Sequence, residues 1–332
     1  MRIALRRPAA ALALSGPVAP LTRRALERRT KIVFAHHVGP SAQHHVAFGP
    51  ALTQMQLDDH LTTLGRHFEF ASLSDVLEHN ADGSGSSQLL AVTFDDGFDL
   101  LRSGALEVLN AHGVKATSFV LTAMLDNRGL MWRNKLSAIQ ALRSEETYVS
   151  ANNRLMESIG SPGIRDASEF LSAAMRWDMG RKEELVDALW AACDMPPLSD
   201  YLDEHRPYFS REALARWVAD GHAVGLHTHT HPDCARLDDD GVRAEIIEPA
   251  RRLSAELKVA SLAFSYPFGR RCSAAHERML AKTGLLQCAL GIRGFSQRGT
   301  SPFRLERASI ERDMRFSVYG KALLGFPRSR LA

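Results

Sequence analysis

Short apolar runs alternate with amphipathic segments over most of the chain. Runs at 31–38, 67–72, 88–96, 115–122, 222–229, 261–268, 287–292 and 305–310 are predicted as strands. Segments 54–66, 100–111, 211–219, 241–257 and 274–282 are predicted as helices, and Gly284 stops the last of them. Such alternation predicts an α/β fold with parallel strands. Seven or eight strands with helices between them predict a closed or nearly closed barrel rather than an open sheet. One stretch breaks the rhythm: 130–209 carries helical patterns at 133–143, 167–175 and 182–192 but no convincing strand. It reads as a helical insertion over one end of the barrel, either shaping a substrate site or decorating the surface. The segment 81–87, rich in glycine and serine, reads as a flexible loop before the third strand.

Composition narrows the picture. The chain has 332 residues, 45% of them hydrophobic and 24% charged, enough to bury a core without a partner. Formal charge is only +3, and the arginines are spread without aromatic interleaving, so nucleic acid is not an expected partner. Cys193, Cys234, Cys272 and Cys288 are widely spaced and form no CxxC pair, which excludes a disulfide framework. Residues 1–30 form a basic leader too short and too broken by Pro8, Gly16, Pro17 and Pro20 to span a membrane. Three readings stand for it: peripheral contact with an anionic membrane, a disordered or loosely helical N-terminus, and a cleaved signal peptide. The second is preferred. With no clean signal peptide and no disulfide pattern, the cytoplasm is the expected compartment, membrane-peripheral if the leader binds lipid. The barrel is expected to occupy 31–324.

The chemistry begins at Thr93-Phe94-Asp95-Asp96-Gly97, where two adjacent carboxylates close the apolar run 89–92. Side chains alternate along a strand, so neighbouring acids occupy different settings. The glycine permits a sharp turn after them. Two carboxylates at a strand tip suit a hydrolase in which one binds a metal and the other attends a water.

A second cluster, His227-Thr228-His229-Thr230-His231-Pro232, follows another apolar run. In continued strand geometry all three imidazoles share one face; at a bent strand end only an i, i+4 pair such as His227 and His231 converges. Imidazole with carboxylate suits zinc, and also iron, cobalt or nickel. Two histidines and one aspartate leave positions open for water and substrate, the mark of a catalytic site.

Together, Thr93–Gly97 and 227–231 resemble the first two motifs of the polysaccharide deacetylases, the NodB-type domain of carbohydrate esterase family 4. The opening Ala35-His36-His37-Val38 is similar to the Tyr-His-x-Val run of many members, and 221–225 to the lead-in before the histidines. The resemblance spans about 31–310 and implies a distorted (β/α) barrel with its chemistry at the strand tips. It implies Asp95 as general base and Asp96, His227 and His231 as ligands of a divalent metal, with Zn2+ the first expectation. It puts His229 at a variable position, which favours the bent arrangement, and gives Thr228 the task of fixing the loop through its hydroxyl. The family's Arg-x-Pro-Tyr motif corresponds to Ser265-Tyr266-Pro267-Phe268, so a backbone N–H of Phe268 is expected in the oxyanion hole. The arginine that would steady the base is absent there, and Arg307 is the candidate to supply that charge from a neighbouring strand. The late general-acid histidine has no counterpart: after His231 only His276 remains, in a helix-like run. His36, His37 or a metal-bound water are the substitutes, with His36 the better placed to face the pocket. His36, Tyr266 and Pro267 are expected at the substrate. The implied reaction is removal of N-acetyl groups from an aminosugar in a polysaccharide or glycan intermediate. Alternatives are a deformylase or deacylase of a lipid- or nucleotide-linked sugar, and a non-catalytic carbohydrate-binding relative.

Overall fold

A computed structural model describes residues 11–39, 43–46, 51–82, 88–160, 163, 166–175, 177–311 and 313–324. Its strands, in chain order, are β1 (Arg29–Ala35), β2 (His37–Val38), β3 (Ala51–Leu52), β4 (Glu69–Phe70), β5 (Leu89–Phe94) and β6 (Thr117–Val120). These are followed by β7 (Ala223–Leu226), β8 (Leu262–Ser265), β9 (Leu286–Gly291), β10 (Ser296–Gln297), β11 (Leu305–Glu306) and β12 (Ala308–Ser309). Parallel pairing runs β1-β5-β6-β7-β8-β9-β11, and β12 returns to pair with β1. The sheet is therefore barrel-shaped and nearly closed. Counting β11 and β12 as one interrupted strand, and adding β4 along the start of β5, its parallel strands number eight, one for each predicted run, and β10 adds a short antiparallel pairing to β1. The interruption falls at Arg307, the residue at the seam of the barrel.

Strand alternation sorts the side chains into two environments. On β5, Leu90, Val92 and Phe94 join the large core between sheet and helices, while Ala91 faces the smaller core inside the barrel. That inner floor is built from Ile32, Ala91, Phe119, Ala263, Leu290 and Leu305. Gly225 is required across it, because a Cβ there would stand 2.5 Å from the Phe119 ring. Two residues further along the same strands come Phe34, Thr93, His227, Ser265 and Arg307. The lumen thus changes from apolar to polar in one step toward the strand ends.

Helices match the expected segments with informative exceptions. The helix expected over 100–111 starts only at Ala105, after Gly104 takes a left-handed φ of 73°. The one expected over 241–257 is split into Asp239–Val242, a π-helical turn Arg243–Ile247 and Glu248–Leu257. Between β6 and β7 lie helices Trp132–Leu142, Glu145–Ser158, Ala167–Ala174, Met179–Ala192 and Leu198–His205. They share a core of their own around Trp132, Tyr148, Phe170 and Trp190, and Phe268 packs against it. Residues 83–87 of the expected loop lie outside the described residues; 81 and 82 end the helix Leu73–Asp82.

Part of the leader is described, and it takes helical form. Residues 11–28 pack on the barrel, with Ala19–Glu27 helical and Ala13, Thr22 and Leu26 buried. A periodic apolar stripe this short is easily missed among prolines. Arg29 and Thr30 already belong to β1. All four cysteines are unpaired and buried.

Gly97, with φ of 69°, sits where an added Cβ would lie 3.0 Å from the Val120 Cα. Gly97→Ala should therefore destabilise the fold by more than about 1 kcal/mol, read as a lower urea midpoint with unchanged m-value.

Candidate active site

The functional side chains stand at the last positions held by the sheet's own hydrogen bonds. Asp95 N–H donates to Ala35 O at 2.9 Å, His227 N–H to Val120 O at 2.9 Å, Tyr266 N–H to Leu290 O at 3.0 Å, and Ile310 N–H to Phe34 O at 3.0 Å. Beyond these points the backbone turns sharply. Asp96, Thr228, His231 and Phe268 all adopt positive φ, at 69°, 76°, 70° and 56°. Left-handed backbone at non-glycine residues costs on the order of 1–3 kcal/mol each and gathers at functional sites. Here it has a visible effect. Asp95 keeps the inward direction of the strand, and the turn at Asp96 brings the second carboxylate into the same cavity.

Arg307 reaches Asp95 through the barrel. Its guanidinium forks onto the carboxylate, Nη1 to Oδ1 at 2.8 Å and Nη2 to Oδ2 at 2.7 Å, in a pair almost wholly hidden from solvent. Nη1 also donates to Thr93 Oγ1 (3.0 Å), Nη2 to Ser265 Oγ (2.6 Å) and Nε to Gly291 O (3.3 Å). Phe34 and Phe119 flank the cation, 4.7 and 5.3 Å from ring centre to guanidinium carbon. Ser265, at the motif position where an arginine is absent, is a hydrogen-bond partner of the arginine that arrives from the seam. Burial alone would raise the Asp95 pKa; the Arg307 charge, then His227, then the Arg307 hydrogen bonds reverse this and hold it below the ordinary carboxylate value.

Asp96, His227 and His231 converge. Asp96 Oδ1 lies 3.4 Å from each Nε2, and all three residues are buried. His227 Nδ1 is 2.8 Å from Ser265 O, which fixes the tautomer and leaves Nε2 free for a metal. Burial first, with the charges of His227, Arg133 and His36, lowers the His231 pKa to about 3 despite Asp96, so the imidazole is neutral and able to ligate. Burial would raise the Asp96 pKa, but the adjacent imidazoles of His227 and His231 and the nearby His36 outweigh it and hold the carboxyl below its ordinary value, ionised. Asp96 Oδ1 has no hydrogen-bond partner. A buried, ionised oxygen left open between two imidazoles fits a divalent cation, and the two-nitrogen, one-oxygen donor set suits zinc-type chemistry.

The histidine loop settles the two geometric readings in favour of the bent one. β7 stops at Leu226, and His229 turns aside to Thr122 Oγ1 at 2.8 Å. The reading with three imidazoles on one face fails because the strand does not continue. Thr228 Oγ1 accepts from His231 N–H at 3.0 Å. Glu245, in the π-helical turn, holds the loop from behind, accepting from His229 N–H (3.1 Å), Thr230 N–H (2.8 Å) and Thr230 Oγ1 (2.6 Å).

His36 lines the cavity, with Nδ1 3.0 Å from Glu311 Oε1, which also accepts from the His36 N–H at 2.8 Å. Burial opposes its protonation, but Glu311 and then Asp96 and Asp95 raise its pKa to about 10. Phe268 lines the cavity with its ring 4.6 Å from that of His231, and its N–H has no partner among the described residues. Tyr266 lines it too, but its hydroxyl points to Glu277 at 3.5 Å. Pro267, expected at the substrate, is buried in the turn and is not among the residues lining the cavity. His37 also lies off the cavity wall, with Nε2 2.7 Å from Gln43 Oε1. His276 sits on its helix, 2.8 Å from Asp239, and has no part in the site. The cavity, about 350 Å³, is completed by residues that sequence reasoning missed: Arg133 from the insertion, and Ser309, Glu311 and Asp313 after the seam. Of these, Glu311 carried a signal, an acid just beyond the last strand tip; Glu245 carried none.

A family model for polysaccharide deacetylases matches residues 82–161 and 175–287, more than half of the chain. The chain belongs to the polysaccharide deacetylase family. No curated protein matches the sequence significantly. Among solved structures, the Streptococcus pyogenes deacetylase PplD in complex with acetate is similar over 90% of this chain and 98% of its own, at 15% identity and a TM-score of 0.56. IcaB from Ammonifex degensii is similar over 88% and 96%, at 16% identity and a TM-score of 0.53. At these identities the two likenesses establish the family barrel and nothing finer.

Arg307→Met strands a buried carboxylate and should destabilise the fold by about 3–5 kcal/mol; adding Asp95→Asn should recover part of the loss, a non-additivity measurable by urea denaturation. Glu245→Ala should leave the barrel folded yet weaken metal binding by about 10–100-fold, read by competition with a chromogenic chelator.

Proposed function

We propose that the protein is a metal-dependent hydrolase that removes N-acetyl groups from an aminosugar in a polysaccharide or glycan intermediate, with Zn2+ held by Asp96, His227 and His231. The observation that carries this reading is the division of labour between the adjacent carboxylates. Asp96 faces two imidazoles with an open oxygen, and Asp95 is clamped by Arg307 in the same cavity. Family membership supplies the amide and sugar chemistry. A divalent metal at the triad supplies Lewis acidity for an amide carbonyl and acidifies water near neutrality.

The chain's own residues supply the rest. Asp95 accepts the proton of the attacking water; its lowered pKa keeps it available as a base, and the two guanidinium contacts fix its direction. The unpartnered N–H of Phe268, a residue of the cavity wall, serves as the donor for the oxyanion, a role that needs no side-chain hydroxyl. As the second residue of the 3₁₀ turn, Phe268 has no intrahelical acceptor for that N–H. His36, kept protonated by Glu311, returns a proton to the departing amine. A late histidine is then unnecessary, because the proton donor stands on the first strand. Arg133 and Asp313 line the cavity where substrate substituents enter. A non-catalytic relative would have no use for a base held so firmly at the edge of a metal-competent triad.

The reading is tested by metal analysis of purified protein with acetate and formate release from N-acyl aminosugars. Asp96→Ala should lose metal and turnover together. Asp95→Asn should keep metal and lose at least about 100-fold in kcat; near-wild-type turnover would remove Asp95 from the role of base. Glu311 is the main cause of the raised His36 pKa, so Glu311→Gln must lower it. The alkaline limb of the kcat profile should then move to lower pH while the acid limb, governed by Asp95, stays in place.

A further inference from the structure

Charge is segregated along this chain. The first thirty residues hold seven arginines and one glutamate, whereas the whole chain is only +3, so everything after the leader is net acidic. Residues 11–28 do not trail away from the barrel. The helix Ala19–Glu27 buries Thr22 and Leu26 and turns Arg23 and Arg24 to solvent. Leu21 is 62% exposed and Leu12 52%, two of the few large apolar side chains left in water among the described residues. Arg28 and Arg66 are exposed beside them. None of Arg23, Arg24, Arg28 and Arg66 makes an ion pair among the described residues.

Beneath this helix lies a cavity of about 420 Å³, with Arg23 and Arg66 on its wall and Leu14, Phe68 and Tyr319 inside. Thr22 Oγ1 and the Tyr319 hydroxyl belong to the same wall; both residues are at least 97% buried, and neither oxygen has a hydrogen-bond partner. Burial and then the charges of Arg23 and Arg66 lower the pKa of His67, which marks how closely the two guanidinium groups approach. An apolar chamber with two idle hydroxyls and a cationic mouth is complementary to an anionic head group joined to hydrocarbon. Exposed leucines among unpaired arginines are the composition of an interfacial anchor.

We propose that this face docks on an anionic phospholipid bilayer, with Leu12 and Leu21 entering the boundary between head groups and acyl chains and Arg23, Arg24, Arg28 and Arg66 meeting lipid phosphates. The inference is independent of the reaction assigned to the active site. It is also compatible with that reaction in space. Phe68 and Gln88 precede β4 and β5, so the docking face adjoins the strand starts, whereas Asp95, His227 and Ser265 stand at strand ends. A docked protein would keep its catalytic mouth clear of the lipid.

The test is co-sedimentation of the full chain with vesicles of phosphatidylcholine, alone or mixed with phosphatidylglycerol. Binding is expected only to the mixed vesicles and should fall as salt rises. The double variant Arg23→Glu/Arg66→Glu should lower the vesicle partition coefficient by about tenfold or more, and Leu21→Ser should lower it even at low salt. Arg252→Glu, on another helix, should leave it unchanged. Circular dichroism guards against misfolded variants. Equal binding to both vesicle types, no binding at low salt, the same loss from Arg252→Glu, or full displacement by soluble heparin at low salt would each overturn the proposal, the last by identifying a general polyanion surface.

Discussion

Arg307 and Asp95 meet in the lumen of the barrel with almost no water to shield either charge. Bringing two ions into such a place costs several kcal/mol apiece, and their attraction roughly offsets this only when geometry and surrounding hydrogen bonds are favourable. Here both conditions hold. The fork is bidentate, and Thr93, Ser265 and Gly291 take the remaining donors. Such a pair adds little net stability over a well-packed apolar core, so stability does not account for it. What it provides is position. The same guanidinium sits at the break between β11 and β12, the two short strands that join β9 back to β1. Closing the barrel and aiming the carboxylate are therefore one arrangement. A change in strand register at the seam would move the charge away from Asp95 as well as opening the sheet.

Around that fixed carboxylate the site is held under strain. Four left-handed residues at the strand tips cost several kcal/mol together. The offsets are local and visible: Thr228 caps His231, Glu245 takes three hydrogen bonds from the histidine loop, Ser265 O orients His227, and Phe268 packs edge-on against His231. The insertion contributes too, since its core includes Trp132 and Phe268 packs against it. An excursion between β6 and β7 thereby supports a turn that follows β8.

Period-two and helical patterns made the eight strand runs legible, because each is apolar and bounded by polar or glycine-rich segments. The two motifs made the carboxylate pair and the His227/His231 pair legible at the level of residue type and spacing. Three things stayed hidden for physical reasons. The break at Arg307 could not be seen, since a cation inside an apolar run shows no sign of whether it points to solvent or into a lumen. Glu245 and Glu311 act on backbone and side chains 15 and 275 residues away, and such contacts leave no trace in local periodicity. The packing of residues 11–28 was obscured by prolines and arginines that read as a loose leader, although every third or fourth position from Ala13 to Leu26 carries a small or apolar side chain.

The departures from the family pattern have a common explanation in the closed sheet. In an open sheet a residue's neighbours are set by its own strand and the two beside it. In a barrel the strand ends converge on one mouth, so a charge needed at a given point can arrive from several strands. The position where the motif lacks its arginine holds Ser265, a small hydroxyl on β8, and the guanidinium reaches the same carboxylate from the seam. His36, just past the end of β1, is made cationic in the same cavity by Glu311 from beyond β12. β1 and β12 are paired neighbours, so His36 and Glu311 are brought together by the same closure that delivers Arg307. The fold constrains where a functional group must stand at the mouth far more tightly than which strand must carry it.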